Sequence, residues 1–338
     1  MQTDNLTGVA PAASNGAHMR LITTQLLNAQ DPCLRYKTLT SALGQDATTP
    51  DVHQARLAIK ASATVQALLS ERDASGAIPY PPYAKWYGAH WVLATLADLG
   101  YPPGDEALFP LREQELQWLL GLAHQKQIRV IAGRVRRCAS QEGNALYALL
   151  ALGLTDSRVD ELAARLCQWQ WPDGGWNCDK RPTASHASFM ESLIPLRALA
   201  LHARVTGNRQ SQQAAERAAE IFLKRQLFMR QHDGTLIDDH FIRLHYPCYW
   251  HYDILFALKV LAEAGFVADP RCQAALDLLA AKRLGDGGFP AEERYYRTTG
   301  KRVAGYSLVD WDGVSQRRMN PWVTVDALFV LRAAGRLG

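Results

Sequence analysis

No apolar run in this 338-residue chain approaches the ~20 residues that a membrane-spanning helix requires. Charge of one sign is also scarce. A formal net charge of +4 is too small to argue for a nucleic-acid or membrane-surface partner. The six cysteines (Cys33, Cys138, Cys167, Cys178, Cys248 and Cys272) include no CxxC pair, so they suit a reducing compartment better than a disulfide framework. Strand signals are almost absent, as are GxGxxG, P-loop, HExxH and GxSxG motifs, so nucleotide, zincin and serine-hydrolase readings gain nothing. Met1 to His18 is rich in Ala, Asn, Thr and Gly but lacks an apolar core. It reads as a disordered leader over 1–18, neither signal peptide nor anchor, followed by one domain over 19–338 in a cytoplasmic protein.

What is present in quantity is apolar helix. Hydrophobic residues make up 48% of the chain and charged ones 21%, enough for a sizeable core. Pro172-Asp173-Gly174-Gly175-Trp176 is the sharpest of a set of turns. Asp286-Gly287-Gly288-Phe289 repeats it closely; Asp233-Gly234 and Asp73 to Gly76 repeat it loosely. The spacing is roughly 50–60 residues, once doubled, which marks a repeat architecture. Glycine there supplies the positive φ that ends a helix, Asp binds turn amides or caps a neighbouring helix, and the aromatic packs between repeats.

Between turns, segments such as Ala145–Leu152 and Ile254–Leu261 are apolar on nearly every side and belong inside. Segments such as Asp160–Leu166 and Gln212–Glu220 carry one charged face and belong outside. Six inner segments are expected to start near Pro32, Trp86, Glu142, His186, Pro247 and Pro321. Six outer ones are expected near Met19, Val52, Leu108, Ser157, Asn208 and Pro270. Six and six close a double ring without an exposed end.

Gln168-Trp169-Gln170-Trp171-Pro172-Asp173-Gly174-Gly175-Trp176 resembles the QW-type repeat of squalene-hopene cyclases and related terpenoid cyclases, whose double ring protein prenyltransferase β-subunits share. The resemblance covers five of the six repeats, from about Asp73 onward. It implies an all-α (α/α)6 toroid with a central cavity for a hydrophobic substrate. The DxDD motif that protonates polyenes in class II cyclases is missing; Asp238-Asp239 lies in a turn region. The prenyltransferase zinc triad does not carry over either, because Cys178 and Asp179 are adjacent rather than two apart.

Residues at the inner-helix starts should face the substrate beside partially positive helix ends. Glu191 with His186, and Asp253 with His251, are expected as carboxylate–imidazole pairs for proton transfer, with His90 and Glu142 opposite. Cys248, one turn from His251 if helical, is a candidate nucleophile or ligand. Trp86, Tyr87, Asp179, His245, Tyr249, Trp250, Trp322 and the anion clamp Arg318 are expected to bind substrate, with aromatic faces available to a cation. Arg129, Arg134, Arg136 and Arg137 replace the glycine turn of the third repeat and form either a diphosphate or carboxylate site or a solvated loop. Zinc, if bound, would take Cys178, His186, Cys248 and His251; otherwise no cofactor is expected. The function expected is an enzyme acting on an apolar or aromatic small molecule by acid–base chemistry, of cyclase/isomerase or lyase type. The alternatives are a zinc-dependent enzyme using a prenyl diphosphate and a non-catalytic binding or scaffold protein. No nucleic-acid partner is expected.

Overall fold

The computed structural model describes residues 12–337, with side chains from Met19 onward. The helices are α1 (Ala12–Leu27), α2 (Pro32–Lys37), α3 (Pro50–Ala58), α4 (Ala63–Leu69), α5 (Ala89–Asp98), α6 (Phe109–Leu120), α7 (Leu122–Gln125), α8 (Ala139–Ala151), α9 (Ser157–Trp169), α10 (Phe189–Thr206), α11 (Arg209–Leu223), α12 (Ile254–Glu263), α13 (Gln273–Ala281) and α14 (Pro321–Ala333). Helices α5, α8, α10, α12, α14 and then α2 follow one another round an inner ring, while α1, α3 with α4, α6, α9, α11 and α13 stand outside. The fold is an (α/α)6 toroid. Of the expected leader, 1–11 lie outside the described residues, and α1 begins at Ala12.

The repeated turn behaves as a structural joint. Gly174 has φ +100° and Gly287 φ +88°, both unfavourable for a side chain. Trp176 and Phe289 are buried, and their amides donate to Ser192 Oγ (3.1 Å) and Thr324 Oγ1 (2.9 Å) on the following inner helices. Asp173 Oδ2 accepts the amide of Ala187 at 2.7 Å just ahead of α10. Each turn thus fixes where the next inner helix begins.

Two departures from the sequence pattern matter for the site. First, α12 starts at Ile254 rather than near Pro247, because Asp253 is its cap and accepts from the amide of Phe256 at 2.7 Å. Residues 245–253 are consequently a loop, so Cys248 and His251 do not share a helical face. Second, the arginine-rich segment is a hairpin, β1 (Arg129–Ile131) against β2 (Arg134–Arg136), turning through Ala132 (φ 50°) and Gly133 (φ 70°).

The ring axis is occupied by charge. Lys37 of α2, Asp98 of α5, Arg197 of α10, Lys259 of α12 and Asp326 of α14 form a connected, largely buried network. Tyr147 of α8 completes the circle with its ring 3.8 Å from the Arg197 guanidinium. Every inner helix therefore contributes at least one side chain. Glu263 (2.6 Å from Arg197) and the Tyr246 hydroxyl (3.2 Å to Asp98) fill the remaining valences. The space left beside this network is about 40 Å³, room for roughly three waters. Among the described residues, this axial space is too small for the hydrophobic substrate expected there.

Candidate functional site at the mouth of the ring

Chemistry gathers where α8 and α10 begin. Gly143 of α8 packs against α10 so closely that a Cβ would lie 2.9 Å from Pro195 N, which draws the two N-termini together. Cys138 occupies the N-cap position of α8, Cys178 lies in the loop after the Trp176 turn, and Glu191 is the third residue of α10. One ligand-type atom from each of the three lies within 4.8 Å of the other two. Glu191 is buried; its Oε2 accepts from the amide of Ser140 at 3.0 Å, and its Oε1 accepts from the Cys178 thiol at 3.7 Å. Burial raises its pKa despite those donors. The contact between the two thiols pushes Cys138 up and Cys178 down, as expected if Cys138 donates and Cys178 accepts.

These thiols open onto a pocket of about 470 Å³ whose other lining residues are Gln127, Arg129, Arg136, Arg137 and Lys180. Among the described residues, no carboxylate lines it. Arg136 is almost fully buried, donates one hydrogen bond from Nη1 to Ala184 O (2.9 Å) and lies over Trp171 at 4.4 Å. The hairpin is thus one wall of a basic pocket rather than a solvated loop.

Lys85 approaches the same cluster from the α5 side. Its ammonium lies 4.7 Å from the centre of the Trp250 ring and 5.4 Å from that of Trp86. Desolvation lowers its pKa, countered in part by its electrostatic interaction with Cys138 and Glu191. Beyond it His251 is stacked between Trp250 (4.5 Å) and Tyr295 (3.6 Å). Burial first, then His245 and Lys85, push His251 down to about 3, so its imidazole is neutral near pH 7. Tyr83 stands beside Lys85 and is hydrogen-bonded to Gln141; burial raises its phenol.

Of the expected catalytic residues, Glu191 and His251 belong to this mouth. The expected pairings do not form. His186 is exposed, with only its carbonyl engaged, by Asn177, so it does not assist Glu191. Asp253 binds His245, not His251, at 2.7 Å. Burial alone would lower the His245 pKa, but the Asp253 charge prevails and raises it. His90 pairs with Glu115 of outer helix α6 at 2.7 Å, and Glu142 with His124 at 2.8 Å, all four side chains buried. Those pairs join the two rings. Cys248 lines the small axial space, and burial pushes its thiol far up, against a nucleophile's role. The metal set of Cys178, His186, Cys248 and His251 is not assembled; among the described residues the cluster that forms is Cys138, Cys178 and Glu191.

The expected substrate contacts divide similarly. Trp86 stacks on Tyr249 at 4.0 Å and Trp322 on Tyr246 at 5.4 Å, packing that closes the centre. The Tyr87 hydroxyl donates to Arg302 O, and His245 is sealed against Asp253. Asp179 is held by Arg181, and Arg318 by Asp312 at 3.0 Å, so neither offers a free charge. Trp250 remains at the mouth beside Lys85. Sequence reasoning passed over Lys85, Cys138 and Lys180. The available signal was Cys138 itself, which ends the arginine-rich segment immediately before polar Gln141, Glu142 and Asn144.

No family model and no curated protein matches the chain. Among solved structures, the chain is similar to the unsaturated glucuronyl hydrolase of Bacillus sp. GL1, responsible for the degradation of glycosaminoglycan, with 14% identity, a TM-score of 0.45 and coverage of 94% of this chain and 95% of that one. A protein from Actinoplanes is similar at 16% identity and a TM-score of 0.43, over 95% of this chain and 99% of that one. Likeness this distant carries no argument about chemistry, which rests on the mouth itself. No helix among the described residues is long and apolar enough to cross a membrane.

Proposed function

We propose that the chain is an enzyme whose active site is the ring's mouth, where it transforms a small molecule by general acid–base chemistry of cyclase/isomerase or lyase type. The observation that carries this is Lys85, a partly desolvated cation over Trp250, set between the Cys138–Glu191 cluster on one side and a neutral, ring-sandwiched His251 on the other. A desolvated ammonium, a buried carboxyl and a neutral imidazole set close together are equipped for proton transfer. An anionic group on the substrate meets Arg129, Arg137 and Lys180 in the pocket onto which the two thiols open.

The test is consumption of metabolites from a cell extract, followed by mass spectrometry, for the wild type against Lys85→Met and His251→Ala. A compound consumed by the wild type and spared by both variants, with a matching product, is the expected result. Equal consumption by all three proteins overturns the assignment. Binding of a compound without turnover by any of them would establish the scaffold alternative instead.

A further inference from the structure

We propose that Cys138, Cys178 and Glu191 bind one zinc ion, with its fourth position open to the basic pocket. The inference rests on the mouth being the active site only for the metal's role in turnover, not for its binding. Zinc takes thiolate sulfur at about 2.3 Å and carboxylate oxygen at about 2.0–2.2 Å in a tetrahedron, which places a sulfur and an oxygen ligand roughly 3.6 Å apart. Cys178 Sγ and Glu191 Oε1 already stand 3.7 Å apart, and all three donor atoms lie within 4.8 Å of one another. A small inward rotation of the thiol side chains completes the triangle.

The surroundings are those of a built site. The three ligands come from separate segments, each held independently. Cys138 is fixed at the start of α8, whose next amide but one, that of Ser140, holds the second oxygen of Glu191. An outer hydrogen bond of this kind orients a ligating carboxylate. Cys178 is positioned by the buried Trp176, whose indole donates to Leu166 O at 2.9 Å, and by Asn177, whose amide donates to His186 O. Two thiolates favour zinc over magnesium or calcium, which prefer all-oxygen shells. Two thiolates and a carboxylate around Zn²⁺ leave one net negative charge, which Lys85, Arg137 and Lys180 surround. Three protein ligands and one open position are the arrangement of a catalytic rather than a structural zinc. Binding displaces the thiol protons into solvent.

The experiment uses the full chain. Elemental analysis after purification without chelators should give one zinc per chain. Cobalt(II) added to the stripped protein should produce thiolate-to-cobalt charge transfer and the intense visible bands of a tetrahedral site, and titration calorimetry in two buffers should show proton release. Cys138→Ser and Cys178→Ser should each lower the charge-transfer band by about half and the double variant should abolish it, Glu191→Gln should weaken cobalt affinity at least tenfold, and Cys248→Ser should leave both unchanged. Folding of each variant is checked by circular dichroism. A folded wild type that neither carries zinc nor gives the cobalt band overturns the proposal, as does a band that survives in the Cys138→Ser, Cys178→Ser double variant. A zinc-free protein whose Lys85→Met and His251→Ala variants still lose metabolite consumption removes the metal and keeps the enzyme; zinc binding without any consumption does the reverse.

Discussion

Replacing Asp98 with Asn tests the claim that the ring is closed along its axis by charge. Asp98 accepts from Lys259 at 2.6 Å, Arg197 at 3.1 Å, Lys37 at 3.2 Å and the Tyr246 hydroxyl at 3.2 Å. Burial alone would raise its pKa, but Lys259, Lys37 and Arg197 hold it well below the ordinary carboxylate range. Three cations (Lys37, Arg197, Lys259) face three carboxylates (Asp98, Glu263, Asp326), so the neutral amide leaves one buried positive charge without its counter-ion. Removing one partner of a buried ion pair costs about 3–5 kcal/mol. With an unfolding entropy of about 2.1 cal/mol/K per residue, a chain this size has a slope near 0.7 kcal/mol per degree, so Tm should fall by roughly 4–7 °C. Differential scanning calorimetry at neutral pH and low salt is the assay. Because the folded carboxyl is held ionised below the unfolded value, its contribution is present above about pH 4 and is lost as pH falls further. The Tm gap between wild type and variant should narrow on acidification below that point. A change under 1 °C at neutral pH would refute the network's role in closing the axis.

Two further outcomes follow from the mouth. His251 has a folded pKa of about 3 against an ordinary 6.5; the unfolded chain takes the proton first, so the penalty is absent above about pH 6.5 and grows as pH falls towards 3. His251→Phe should therefore flatten the loss of stability between pH 7 and pH 4 by roughly 3 kcal/mol, read from urea unfolding midpoints at each pH, and an unchanged difference would contradict the buried, neutral imidazole. Gly143→Ala adds a Cβ 2.9 Å from Pro195 N and 3.1 Å from Ile194 C, contacts with backbone that cannot swing aside. Overpacking of this kind costs about 1–3 kcal/mol, so a Tm lower by roughly 1–4 °C is expected, and an unchanged Tm would show that α8 and α10 are not in close contact there.

The scaffold was legible because it rests on local rules. Helical periodicity separated outer from inner segments, glycines with φ +100° and +88° punctuated them, and five of six inner helices start within about three residues of the position expected from the turns. The sixth was misplaced by its proline, where the cap Asp253 decided instead. Side-chain partnership could not be read the same way. His186 and Glu191 are five apart in sequence, yet Glu191 turns to Cys178 and the α8 N-terminus, because Gly143 lets the two helices approach. Asp253 reaches back eight residues to His245 only because the loop between them folds over the α12 end. Lys259 lies in the nearly all-apolar stretch Ile254–Leu261, but its partners Asp98 and Asp326 lie on α5 and α14, far along the chain. The sequence by itself determined the double ring, through patterns that repeat within each turn of helix. Only the tertiary structure decided that the ring's centre is ionic and nearly filled, and that its chemistry sits at the mouth on Cys138, Cys178 and Glu191, because which charges meet depends on distances between helices that no local pattern encodes.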